Sequence, residues 1–275
     1  MSASQAQTLR DYAVELAEGA GDLIRATQPK HVRVKETKSS ATDPVTEMDL
    51  RIESYLIDKI TKRWPNDGIL AEEGDNRQGT SGLTWVIDPI DGTVNYLYGV
   101  APYAVSVAVV SGPPDPQTWT QIAGAVHDVV NSRTWAAAQG AGATANGQPI
   151  RHLADPAPLG RSLTATGFGY APHRRAGQAR VLTQVLPQVR DIRRLGSAAI
   201  DLCLLAEGIV DLYYERGLKP WDLAAGTLIA QEAGATVCGL RGLRASETMT
   251  VAGRGVALQK LIDILEAADA DNPAE

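Results

Sequence analysis

The sequence has few of the residues that hold soft metals or form cross-links. Its 275 residues include two cysteines and four histidines. The cysteines, Cys203 and Cys238, are isolated, and the histidines are far apart, so no CxxC or HxxxH spacing occurs. The sequence therefore does not support a zinc site. We expect the two cysteines to fill core rather than to form a disulfide bridge.

Long apolar runs and an excess of positive charge are also missing. No apolar run approaches the ~20 residues of a membrane-spanning helix, and residues 1–9 lack the basic and then apolar pattern of a secretion signal. The formal net charge is −6, which argues against nucleic acid as the main partner because affinity for a polyanion depends on clustered Lys and Arg. We expect a cytoplasmic protein that binds neither membranes nor nucleic acid.

What is present is the composition of a globular enzyme, with 44% apolar and 21% charged residues. Apolar periodicity predicts helices and β-branched runs predict strands, which alternate along the chain as in an α/β protein. A proline-rich stretch near 155–158 predicts a boundary between subdomains 1–155 and 156–275. Helices are predicted at 5–27, 46–64, 179–189, 197–207 and 223–233, and strands at 68–74, 103–110, 121–130, 133–138, 162–166 and 209–214.

One apolar run in the first half ends in two acidic residues. It predicts a buried strand that stops at Asp88 and Pro89, because proline has no N–H to continue a ladder. Asp91, Gly92 and Thr93 follow. Carboxylate oxygens suit Mg²⁺, and free backbone N–H groups suit a phosphate. Asp, Pro and Gly are also ordinary turn residues, so this stretch alone leaves a solvated turn equally open.

Other polar residues fall at the ends of predicted elements. Glu72 and Glu73 end a short strand, Asp49 lies in the first turn of a helix, and Asp222 falls near a helix N-cap. Each has an ordinary alternative, such as a solvated loop edge or a helix cap. Lys38 stands in a polar segment, where a solvated lysine is the simpler interpretation.

Together these pieces resemble the inositol monophosphatase family of metal-dependent, lithium-sensitive phosphatases. The resemblance extends over about residues 9–265. Ala71 stands where the family has glycine and Val94 where it often has threonine, but neither change removes a ligand. The matching segments are Lys38–Ser39–Ser40 with Asp43, Thr46 to Asp49, Ala71–Glu72–Glu73, Trp85 to Asn95, Gly196 to Ala199, and Trp221 to Gly226.

The resemblance implies a two-metal site with a bridging carboxylate. One Mg²⁺ would be held by Glu72, Asp88 and the carbonyl of Ile90. A second would be held by Asp88, Asp91 and Asp222, and Glu72 would help hold a weaker third ion. The other implied roles are phosphate binding by Gly92 and Thr93, orientation of a water by Glu72 and Thr93, orientation of Thr93 by Asp49, and closure of the loop that carries Lys38.

The resemblance also implies a fold and a substrate. The fold would be the layered αβαβα sandwich of the sugar-phosphatase superfamily, in a homodimer. We expect myo-inositol 1-phosphate as substrate, contacted by Asp91, Gly196, Ser197, Ala198 and Glu215. Histidinol phosphate is the alternative substrate. Non-catalytic binding in a transcription complex is the alternative from another class, since some bacterial relatives work in such complexes.

Overall fold

The computed structural model describes residues 2–29, 32, 34–38, 44–74, 76–150 and 157–272. The predicted boundary at 155–156 lies outside the described residues, as do Ser39, Ser40 and Asp43 of the family resemblance. The α-helices are α1 (Ala3–Thr27), α2 (Glu47–Arg63), α3 (Thr93–Tyr98), α4 (Pro172–Val185), α5 (Ala198–Glu207), α6 (Pro220–Glu232) and α7 (Gly255–Ala267), with 3₁₀ turns at Leu159–Arg161 and Leu186–Gln188.

The strands form a short hairpin and two larger sheets. The strands are β1 (Val34–Thr37), β2 (Pro44–Thr46), β3 (Gly68–Ala71), β4 (Leu83–Asp91), β5 (Ala104–Ser111), β6 (Thr120–Asp128), β7 (Arg133–Ala138), β8 (Ala143–Ala145), β9 (Gln148–Pro149), β10 (Leu163–Thr166), β11 (Asp191–Arg193), β12 (Leu212–Glu215), β13 (Thr236–Cys238) and β14 (Thr250–Gly253). Their orders are β1-β2, β3-β4-β5-β6-β7-β8-β9 and β11-β10-β12-β14-β13. β3 lies parallel to β4, and β10 lies parallel to both β11 and β12.

Helices and sheets stack in five layers. Alternate residues of β5 face opposite sides, so Val105 and Val107 pack with α1 and α2 while Ala104 and Ala108 pack with α5 and α6. α5 and α6 also contact β10, β12 and β14, and the far face of that second sheet is covered by α4 and α7. The predicted αβαβα sandwich is confirmed.

The central strand differs from its prediction. β4 does not stop at Asp88 but continues to Asp91, with a shift of pairing register against β5 between these residues. Such a bulge removes the need for a ladder N–H at Pro89, so the proline is tolerated inside the sheet. Both aspartates therefore belong to the end of a buried strand rather than to a turn.

Two helices begin earlier than the sequence predicts. α4 begins at Pro172 rather than Ala179, and α6 begins at Pro220, a residue that suits the first helical position. Asp222 is therefore the third residue of α6 and not its N-cap. The predicted hairpin of β6 and β7 is confirmed, and both cysteines are free thiols, with Cys203 buried. None of the described helices has the length and apolar character needed to cross a membrane.

Candidate active site

Three acidic side chains from two elements meet at one end of the seven-stranded sheet. Asp88 and Asp91 come from β4, and Asp222 comes from the first turn of α6. One oxygen from each lies within 4.8 Å of the others. With Glu72 and Ile90 they line a cavity of about 490 Å³. Sequence segments far apart in the chain are thus brought into one cluster of oxygen ligands.

The cluster carries more negative charge than its surroundings balance. Burial raises the pKa of Asp88 well above its usual value, and the charges of Glu72 and Asp91 raise it further. Burial raises the pKa of Asp222 in the same way, with Asp91 and Glu72 contributing. Burial also raises the pKa of Asp91 to about 6, although hydrogen bonds from Ser197 and Ala199 act against the rise. Because bound divalent cations would relieve this repulsion, the residues present fit a metal site.

The chain holds each aspartate of the cluster by one hydrogen-bonded oxygen. Asp91 Oδ2 accepts from the Ser197 hydroxyl at 2.6 Å and from the Ala199 N–H at 2.8 Å. The backbone N–H of Ile90 donates to Asp88 Oδ1 at 3.0 Å, and that of Lys219 donates to Asp222 Oδ2 at 2.7 Å. These bonds fix the carboxylates before any ligand arrives. Gly196 and Ala198 line the cavity. The buried Ser197 side chain does not line it and instead donates the hydrogen bond that holds Asp91.

A short helix start lies beside the cluster. Gly92 has φ +95°, a left-handed conformation that favours glycine, and it precedes Thr93 at the beginning of α3. The Thr93 hydroxyl lies 2.9 Å from the Ile90 carbonyl oxygen and 3.3 Å from Asp49 Oδ1. Asp49 is fully buried in the capping box of α2, and burial raises its pKa to about 6. The structure therefore brings Asp49, which is remote in sequence, against the hydroxyl of Thr93.

Lys38 is not the solvated lysine that the bare sequence favours. Its Nζ lies 2.8 Å from Glu72 Oε1 and 2.8 Å from Glu73 Oε1. Burial acts against the charged form of Lys38, but the two glutamates more than offset it, so its pKa is raised. The hairpin of β1 and β2 places Lys38 over the end of β3, a long-range contact that local patterns do not encode.

Sequence reasoning missed the residues that surround Glu215. Tyr213 donates a hydrogen bond from its hydroxyl to Glu215 Oε2 at 2.8 Å. A Cβ on Gly167 would lie 2.1 Å from Glu215 Oε1, so the carboxylate occupies the space that the glycine leaves. Asp201 lies nearby in α5, and burial and the charge of Glu215 raise its pKa well above the usual value. Tyr213 lies two residues before Glu215 on β12, a spacing that places both side chains on one face of a strand and could have been recognised. Gly167 and Asp201 lie in distant segments, and their spacing gave no signal.

The side chain of Asn95 links two backbone segments beside the site. Its Nδ2 donates at 2.7 Å to the carbonyl oxygen of Pro102 and at 2.7 Å to that of Leu195. Leu195 directly precedes Gly196 of the cavity wall. Asn95, the last residue of the matching segment Trp85 to Asn95, thus anchors the backbone beside Gly196 in the cavity wall, a role that the sequence did not reveal.

The cluster predicts an unusual pH dependence for the metal-free protein. Carboxyl groups with a raised pKa in the folded state contribute stability that is complete below about pH 4 and lost as pH rises through about 6. We expect the Tm of the metal-free protein to fall by about 5 °C or more between pH 5 and pH 7.5. Mg²⁺ should remove most of this fall. Scanning calorimetry with a chelator and with Mg²⁺ measures it.

The control for this prediction is Asp222→Asn, which removes one charge from the cluster and should flatten the metal-free profile. This comparison also separates the cluster from the buried His127, whose pKa is lowered by burial and by Arg25. That group acts in the opposite direction, because its stability contribution is lost as pH falls. A metal-free Tm that rises to the same extent in both proteins would contradict the prediction.

The sequence and the fold are both similar to those of known proteins. The model of the inositol monophosphatase family matches residues 5–270. The chain is 43% identical over 235 residues to inositol-1-monophosphatase of Mycobacterium leprae, a match that covers 82% of this chain and 75% of that protein. It is 37% identical over 235 residues to a protein of Xylella fastidiosa named Nus factor SuhB, covering 83% and 81%. The solved structure of Mycobacterium tuberculosis SuhB superposes with a TM-score of 0.79 at 38% identity, covering 97% and 98%.

Proposed function

The chain belongs to the inositol monophosphatase family and is a phosphatase, and we propose that it hydrolyses myo-inositol 1-phosphate with Mg²⁺ as cofactor. The observation that carries the proposal is the meeting of Asp88, Asp91 and Asp222 in a cavity whose wall includes Glu215. Oxygen ligands of this kind suit Mg²⁺. A carboxylate on the wall suits a substrate with several hydroxyl groups.

We assign the ligands to individual ions as follows. Glu72, Asp88 and the Ile90 carbonyl would hold one Mg²⁺, and Asp88, Asp91 and Asp222 would hold another, with Glu72 available to a weaker third. When bound, the ions supply charge neutralisation for the phosphate and lower the pKa of a coordinated water.

The remaining chemistry belongs to side chains and backbone. Glu72 would accept a hydrogen bond from the attacking water. The hydroxyl of Thr93, held between Ile90 O and Asp49 Oδ1, would orient the same water for in-line attack on phosphorus. The N–H groups of Gly92 and Thr93 would bind phosphate oxygens. Lys38, which already contacts Glu72, would close the cavity on that side.

A panel of phosphate esters tests the function. We expect release of inorganic phosphate from inositol 1-phosphate that requires Mg²⁺, with slower release from glycerol 2-phosphate. Histidinol phosphate belongs in the panel because its ammonium group would pair with Glu215. A preference for histidinol phosphate would overturn the proposed substrate but leave the phosphatase assignment intact.

Glu215 is expected to govern the choice of substrate. The substitution Glu215→Gln removes an acceptor for ring hydroxyls and should lower kcat/KM for inositol 1-phosphate by about 1–3 kcal/mol of transition-state stabilisation. Hydrolysis of glycerol 2-phosphate should change much less. Steady-state kinetics on both esters gives the comparison. An equal loss on the two substrates would mean that Glu215 supports the site as a whole.

Lithium sensitivity is part of the proposal. We expect Li⁺ at millimolar concentration to inhibit, because a small hard cation competes for the oxygen ligands Asp88, Asp91 and Asp222. Inhibition should weaken in the presence of excess Mg²⁺. Initial rates across a series of LiCl concentrations, with KCl at equal ionic strength as control, measure it. Full activity at the highest LiCl concentration would argue against the assigned second metal position.

We also propose that the protein works in the cytoplasm as a homodimer. Tyr98, the last residue of α3, and Val100 are 76% and 53% exposed, which leaves apolar surface that a second copy would cover. Light scattering during gel filtration gives the mass. A monomer at micromolar concentration would contradict the dimer.

A role in transcription is the second candidate, because some relatives carry the name Nus factor SuhB. Such binding would not need Asp88, Asp91 and Asp222 in a ligand arrangement, so the carboxylate cluster favours catalysis. Phosphate release by the purified protein would support catalysis, and its absence with every ester of the panel would favour the second candidate.

A further inference from the structure

The carboxylate of Glu215 is held from two sides by residues that do not belong to the metal site. On one side, the hydroxyl of Tyr213 donates to Oε2 at 2.8 Å. On the other, Gly167, directly after β10, leaves the space that the whole carboxylate fills, since a Cβ there would lie 2.1 Å from Oε1 and 2.2 Å from Oε2. Oε1 accepts no hydrogen bond from any residue in the described part of the chain. One oxygen is therefore engaged and the other is available.

The buried environment of Tyr213 keeps its hydroxyl hydrogen-bonded to Glu215. Tyr213 is completely buried among the residues that pack α5 and α6 against the second sheet, and its hydroxyl would lose a buried partner if Glu215 turned away. Burial and the charge of Glu215 raise the pKa of Tyr213 well above its usual value, so the phenol remains a donor. A neutral donor against a carboxylate favours the ionised form of the acid.

We propose that Tyr213 and Gly167 are positioning residues that make the pocket selective for polyhydroxylated phosphate esters, by holding Glu215 with one carboxylate oxygen turned to the substrate. This inference rests on the proposed function, because it concerns the same cavity. It explains how a flexible glutamate side chain at a strand end can favour a phosphate ester with ring hydroxyls over a simple phosphate ester. Neither residue is among the proposed metal ligands or phosphate-binding groups.

The charges around Glu215 give the proposal a second observable. Burial raises the pKa of Glu215 to about 7, while the Tyr213 hydrogen bond and the nearby Arg194 act against the rise and Asp91 adds to it. Asp201 of α5 also faces Glu215. Loss of the Tyr213 hydroxyl should therefore raise the pKa of Glu215, and the pH at which selectivity develops should move upward.

The test compares kcat/KM for inositol 1-phosphate and glycerol 2-phosphate from pH 6 to 9 in the Mg²⁺-loaded enzyme. We expect Tyr213→Phe to lower the ratio of the two values about 10-fold near neutral pH, with glycerol 2-phosphate hydrolysis nearly unchanged, and to move the pH profile of the ratio upward. Tyr214→Phe is the matched control. It is the same substitution on the next residue of β12, whose side chain packs on the opposite face with α4 and α7.

Gly167→Ala provides an independent route if Tyr213→Phe folds poorly. The backbone of Gly167 is outside the left-handed region, so alanine fits the chain but displaces both carboxylate oxygens, and the ratio should fall although the Tyr213 hydroxyl is still present. Wild-type selectivity and pH profile in both variants would overturn the proposal, as would an equal loss on both esters. If wild type hydrolyses neither ester, the proposed function fails instead; if it hydrolyses both without preference, the substrate assignment fails.

Discussion

Glu72→Gln is expected to lower kcat for inositol 1-phosphate by at least about 10²-fold at saturating Mg²⁺. The glutamate follows β3, lines the cavity with Asp88 and Asp91, and is proposed both to ligate metal and to orient the attacking water. An amide keeps the shape but loses one acceptor oxygen and the negative charge. The measurement is phosphate release under Mg²⁺ concentrations high enough to exclude weaker metal binding as the cause.

The neighbouring glutamate supplies a matched control. Glu73 Oε1 lies at the same 2.8 Å from Lys38 Nζ as Glu72 Oε1 does, but Glu73 does not line the cavity. Glu73→Gln removes the same kind of ion pair and should retain most of the activity. Equal losses in the two variants would assign the effect to the Lys38 contact, and full activity of Glu72→Gln would overturn the role assigned to Glu72.

Asp222→Asn should abolish measurable hydrolysis, a loss of about 10³-fold or more, because it removes a charged ligand from the second metal position. In the capping box of α6, Asp222 Oδ2 accepts one backbone N–H from Lys219, and the side-chain oxygen of an asparagine can accept the same hydrogen bond. The variant should therefore fold normally. Its metal-free Tm near pH 7.5 should even rise, because repulsion from Asp91 and Glu72 is relieved.

Asp211→Asn is the control for Asp222. Asp211 Oδ2 accepts a hydrogen bond from the backbone N–H of Leu163 at 2.7 Å. Like Asp222, it is a carboxylate that accepts one backbone N–H, but it does not line the cavity. The substitution should leave kcat unchanged. Activity and Tm are measured on the same preparations. An active, stable Asp222→Asn protein would reduce Asp222 to a cap.

Local sequence was sufficient for most elements. Helical periodicity predicted α1, and the Thr46 and Asp49 capping pair predicted the start of α2, since both signals depend on neighbours within a few residues. Proline was the main source of error. Pro89 was expected to end a strand that a bulge lets it cross, and Pro172 and Pro220 begin helices that were predicted to begin later.

The sequence alone determined the family, through matching segments such as Trp85 to Asn95 and Trp221 to Gly226, and with it the fold and the acidic residues that line the cavity. Only the tertiary structure decided which groups contact these carboxylates. Ser197 donates to Asp91, Lys38 pairs with Glu72 and Glu73, and Tyr213 and Gly167 contact Glu215. Hydrophobic patterns are short-range and repeat with each element, whereas the contacts of Ser197, Lys38 and Gly167 join segments far apart in the chain. They form only when five layers pack, so burial and its effect on pKa cannot be read before the fold exists.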